Sequence, residues 1–326
     1  MWYRIGRGPP REYFYANLDL VRVSQIALVF SFVFFIAGLA APRFSILLHG
    51  DLMVLGLLSF YLSVMYLQHP AFTNTMPKRP LSYVLLILFL LGAVSWYIHI
   101  PFAWAPFSAL YIALYTPGFK GRNAPPNLIV VAGLAALALA GSPWRIVMSF
   151  PAASAMSLML RVDSAKRRLN IGLAPTAAFV AVYLALLFAP IPRPISIALI
   201  FAAFLALVKG FYLSKEPYAW GTAIGRSLPL LAPLGFLGLP ADHFLYMGIA
   251  VIMFSLCVPW FLPSVFLRQV PRWPSYLPLL PIVASILRLT GYLPLVAASA
   301  LLLIGGGIYV AAMIIKEKAF PFGPPP

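Results

Sequence analysis

Long runs of apolar residues, broken at short intervals by proline, glycine and charge, make up almost the whole chain. Cutting at those breaks leaves the segments 24–41, 46–67, 82–99, 101–117, 127–141, 143–160, 171–190, 194–213, 220–239, 243–266, 273–288 and 292–315. Within them apolar residues do not alternate with polar ones, as the strands of a membrane barrel do over about ten residues. The pattern predicts an all-α chain of about 12 helices and no strand. A helix needs about 20 apolar residues to cross the hydrocarbon core, so the shorter segments predict tilted or incomplete crossings.

Composition makes these membrane helices. The 326 residues are 62% hydrophobic and 9% charged, whereas a soluble domain carries about 25% charged residues. Such a chain cannot cover its surface with polar groups, so its solvent is lipid. The net charge of +16 does not indicate nucleic-acid binding, because the basic residues are spread thinly between apolar runs instead of clustering on one face. Their spacing follows membrane topology. With the N-terminus inside, the cytoplasmic pieces hold Arg4, Arg7, Arg11 and Arg22; Lys78 and Arg79; Lys120 and Arg122; Arg161, Lys166, Arg167 and Arg168; Lys209 and Lys215; Arg268 and Arg272; Lys316 and Lys318. The outer loops and helix ends hold Arg43, Arg145, Arg193 and Arg288. This asymmetry predicts a multi-pass protein of the cell membrane with both termini cytoplasmic. Residues 1–23 read as a cytoplasmic lead-in, 24–316 as a single transmembrane domain and 317–326 as a cytoplasmic Pro-rich tail. The 32 prolines predict kinked helices. The lone cysteine, Cys257, excludes an intrachain disulfide and any Cys-based metal site, and reads as a small buried hydrophobe.

Candidate chemistry centres on two of the four histidines. His49 and His243 each open a long apolar segment, and the topology puts both at outer helix ends. Each is followed four residues later by a methionine, Met53 or Met247, with Gly56 or Gly248 close behind. Two imidazoles at one depth have the donor chemistry to clamp a haem iron from both faces. The competing reading is of interfacial histidines, methionine core fillers and glycines that let helices pack closely. Met53 or Met247 as an axial ligand is a minor variant. Asp51 and Asp242 flank the histidines. Neighbours one or two apart on a helix do not face each other, and Asp242 suits a helix N-cap. His99, among Trp96, Tyr97 and Trp104, fits an interfacial aromatic belt. His69, before Pro70, lies too far along its helix to join His49. The stretch Arg161–Arg168 reads as a topology-setting cluster with a local Arg–Asp pair. Arg226, inside an apolar run, and Arg288 are candidates to meet haem propionates.

The motifs His49-x-x-x-Met53-x-x-Gly56 and His243-x-x-x-x-Gly248 resemble the NnrS family of haem-containing membrane proteins linked to nitric oxide metabolism. The twelve-helix topology, with histidines opening helices 2 and 10, is also similar to the catalytic subunit of haem-copper oxidases. That resemblance implies one low-spin haem b held by His49 and His243. The further histidines that an oxidase places on helices 6 and 7 are missing, and Asp51 stands where NnrS-like proteins tend to carry a second histidine. The likeness therefore implies electron transfer or gas-related chemistry, with other membrane redox subunits as partners besides the bilayer, and no oxygen reduction by the oxidase route. The alternatives are a cofactor-free transporter or permease, for which no inverted repeat is evident, and a structural or assembly subunit of a larger membrane complex.

Overall fold

A computed structural model describes residues 2–4 and 18–318. Most of the lead-in, with Arg7 and Arg11, and the stretch Phe320–Pro326 lie outside the described residues. Twelve helices follow in chain order, one for each apolar segment: α1 (Leu18–Ala40), α2 (Ile46–Thr73), α3 (Arg79–Tyr97), α4 (Ala105–Tyr115), α5 (Ala124–Ala138), α6 (Pro143–Arg167), α7 (Leu173–Phe188), α8 (Arg193–Leu207), α9 (Pro217–Ser227), α10 (Ala241–Val265), α11 (Leu279–Leu289) and α12 (Leu293–Lys316). The chain is all-α, as the apolar pattern requires. The first helix starts at Leu18, six residues earlier than the apolar run, because Leu18, Leu20 and Val21 extend the same apolar turn around Asp19. The structure adds one feature the pattern did not carry. Trp2–Arg4 (β1) pairs antiparallel with Thr75–Pro77 (β2), Tyr3 opposite Met76. Three-residue strands are too short to imprint a periodicity.

Six helices, α1, α2, α3, α6, α10 and α12, are long and apolar enough to cross a membrane; α7, α8 and α11 are shorter apolar helices. The outward faces confirm lipid as solvent. On α12 the exposed side chains include Leu293, Leu301, Ile304, Ile308 and Ile315, whereas Ser299 and Gly306 are buried. A helix in water would show the opposite arrangement.

Proline explains where helices bend. Ser149 interrupts α6 just before Pro151, which has no N–H for the Val147 carbonyl. In α10 a π-turn spans Met253–Cys257 ahead of Pro259. Pro263 cannot donate to the Pro259 carbonyl, and the indole N–H of Trp273 does so instead, at 2.9 Å. The α-helical part of α9 passes at Leu228 into a 3-10 segment that runs to Leu237 and contains Pro229 and Pro233.

Two compact units divide the chain, Met1–Leu158 and Met159–Pro326. In the first, α1 and α2 form an antiparallel pair, and Trp104 just before α4 joins Phe107, Tyr111 and Tyr115 of α4 in a buried aromatic core. In the second, α7 pairs with α8, α9 with α10, and α11 with α12.

Candidate functional site

Ser45 caps α2 by accepting a hydrogen bond from the Leu48 N–H, which starts the helix one turn before His49. The half-buried imidazole turns to α1, where its Nδ1 lies 2.7 Å from the Gly38 carbonyl oxygen. A carbonyl only accepts, so the ring donates through Nδ1–H in this contact. Gly38 makes this approach possible, because a side chain there would meet the Met53 sulfur at 3.0 Å. One and two turns further, Phe35 lies on Gly56, and Ser31 donates to the Gly56 carbonyl at 2.8 Å. Met53 and Gly56 thus seat α2 on α1 and fix the ring they follow. Asp51 is half-buried and within electrostatic reach of His99.

His243 occupies the corresponding position in its own unit, half-buried in the first turn of α10. Met247 is buried one turn on, and Gly248 packs against Pro229 and the Gly225 carbonyl. Asp242 is not the N-cap its sequence suggested. Pro240 holds that position, and Asp242 sits inside the first turn, 3.1 Å from the Arg193 guanidinium at the start of α8. A carboxylate there complements the positive end of the helix dipole and finds a cation as well. Arg288 is half-buried in the last turn of α11.

Arg226 has an internal counter-charge. It is completely buried and pairs with Asp163 at 2.7 Å. The sequence suggested a local pairing for Asp163; the structure pairs it with Arg226, 63 residues away. The rest of the cluster docks α6 onto its neighbours. Lys166 reaches Glu216 at 3.4 Å, and Arg167 donates to the Val208 and Lys209 carbonyls at 2.8 and 2.7 Å. A cation on the carbonyls just past the end of α8 satisfies acceptors that the helix cannot pair itself.

His69, read as an isolated end-of-helix residue, is fully buried among tyrosines, its ring 5.0 Å from Tyr115, 6.3 Å from Tyr66 and 6.4 Å from Tyr111. Tyr66 donates to Ser82 at 2.6 Å. The four-residue spacing of Phe107, Tyr111 and Tyr115 was the available signal, since it stacks these rings on one face of α4. Among the described residues there is no group of three or more His, Cys, Asp or Glu that could hold a metal ion. No protein-family model, no curated protein and no solved structure matches the chain.

Proposed function

We propose that this chain is a haem-binding protein of the cell membrane, with His49 and His243 as ligands to the iron of haem b, serving electron transfer or the handling of a small gas such as nitric oxide. The observation that carries the reading is the contact between His49 Nδ1 and the Gly38 carbonyl. Iron-binding histidines characteristically donate their second ring N–H to a backbone carbonyl or carboxylate, which fixes the tautomer and aims the other nitrogen. Haem supplies the redox chemistry when bound. The chain supplies an imidazole of fixed tautomer, held by a close helix crossing at Gly38 and Gly56. His243 is the second ligand by its equivalent helix-opening position, and Arg288 is the cation for a propionate. Arg226 already has a counter-charge in Asp163, which a propionate there would have to displace. The bilayer is the surrounding partner, with other membrane redox subunits as electron donor or acceptor.

The test is the visible spectrum of the protein purified from haem-replete cells. Reduced protein should show sharp cytochrome b bands, with about one haem per chain. His49→Ala should abolish them, and His243→Ala should abolish them or convert the spectrum to that of a singly ligated iron. A colourless, folded protein ends the proposal.

A further inference from the structure

Arg226 carries more donors than its surroundings use. Nη1 donates to Asp163 Oδ2 at 2.7 Å, Nε donates to the Thr222 carbonyl at 3.2 Å, and the guanidinium carbon stands 5.6 Å from the centre of the Phe211 ring. Nη2 is buried and has no acceptor among the described residues. A buried ion pair is a weak stability device, since an apolar pair of similar volume does as well or better. A completely buried guanidinium with one nitrogen unanswered is therefore better explained by something it binds.

The helices around it are irregular at this point. Regular α9 ends at Ser227, directly after Arg226, and the chain goes on as a 3-10 segment. Across the α9–α10 contact, Ser255 lies in the π-turn, where its hydroxyl fills the space in front of Gly221 and is likewise buried without a partner. Breaks of this kind are where membrane helices admit polar ligands, because the packing can shift there without unwinding a whole helix.

We propose that Arg226 is the docking group of an anion site within this unit, and that a planar anion of single charge exchanges with Asp163 as the counter-charge of the guanidinium. The flat fork of N–H donors matches two oxygens in one plane, as in a carboxylate or a nitrogen oxyanion, and suits a spherical halide poorly. Charge balance dictates the coupling. One cation in a dry site neutralises one anion, so Asp163, once displaced, takes up a proton from water. Anion and proton then enter together, and the site keeps its net charge. The other charged groups near Asp163 are engaged elsewhere: Lys166 of α6 with Glu216 before α9, and Arg167 with the carbonyls after α8. Arg161 is two residues earlier on α6, a spacing at which helix positions do not face each other. The proposal rests on the second unit alone and is independent of the haem reading.

The probes are formate, nitrate and chloride, applied to the full-length protein in detergent and in lipid vesicles. Formate or nitrate should raise the melting temperature saturably, chloride should not, and a pH dye in weak buffer should record about one proton taken up per anion. Asp163→Asn removes the resident counter-charge, so it should bind the anion at least about tenfold more tightly, with no proton uptake. The double variant Asp163→Asn, Arg226→Gln replaces the pair with neutral groups of similar size and should fold without binding. Three results overturn the proposal: no saturable effect of either planar anion on the unaltered protein, binding without proton uptake, or equal effects of nitrate in the double variant.

Discussion

Asn127 shows how much a single polar side chain does in an apolar bundle. It is fully buried, and its Nδ2 donates to the carbonyls of Phe72 and Gly118, each at 2.8 Å. It thereby ties the end of α2 to the turn that follows α4. Removing the amide leaves two buried acceptors unmet, at about 1–3 kcal/mol each. Asn127→Ala should therefore lower thermal stability clearly while leaving helix content in the folded protein unchanged by circular dichroism. A side chain at Gly118 would run into that same amide, so Gly118→Ala should also destabilise. Because the two positions share one space, the combined variant should lose less than the sum of the single losses. Full additivity would disprove the contact. In the sequence Asn127 is only a polar residue in an apolar run, since its acceptors are backbone atoms and any residue type can supply those. The same limit hid Gly38 as the partner of His49.

At the scale of elements, glycine decides where helices meet. On α9, Gly221 and Gly225 face α10, and Gly225 and Gly248 approach backbone to backbone. A side chain at Gly225 would meet Ile252 at 2.7 Å and the Gly248 carbonyl at 3.0 Å, whereas one at Gly305 on α12 would meet nothing within 4 Å. Gly225→Leu should cost about 1–3 kcal/mol through overpacking, and Gly305→Leu should be near neutral. Comparing the two melting temperatures checks this, and equal losses would mean that the α9–α10 crossing is not where the structure has it. In the sequence, Gly56 and Gly248 could make room for a macrocycle or for a neighbouring helix. The space in front of them holds Phe35 and Pro229. Segment ends were less legible where prolines cluster. The run 273–288 narrows to a helix that starts only at Leu279, because Pro271, Pro274 and Pro278 favour turns before it.

At the scale of the whole molecule, the orientation inferred from positive charge is open to direct measurement. Cysteines replacing Lys120 and Lys215 should react with an impermeant maleimide only in inside-out vesicles. Cysteines replacing Gly141 and Thr290 should react in intact cells. These positions are exposed, and buried Cys257 should stay unlabelled in both. The reverse pattern would invert the topology and would put the helix-opening histidines on the cytoplasmic side. Among the described residues each of the twelve helices falls on one apolar segment, yet six have the length and composition of a full span. A count of apolar runs therefore gives the number of helices more securely than the number of crossings.

Sequence alone determined the class, the solvent and the helix count. Lipid forces each spanning segment to satisfy its own backbone hydrogen bonds, so a run of apolar residues has one structural outcome and can be read in one dimension. What only the tertiary structure decided is which faces meet: Arg226 with Asp163, His49 with Gly38, and the tyrosines around His69. A helix apolar on all sides carries no stripe to show how it is rotated about its axis. Those pairings are set by where a glycine lets a backbone approach and where a buried charge or donor finds its complement, and both require helices distant in the chain to be in place.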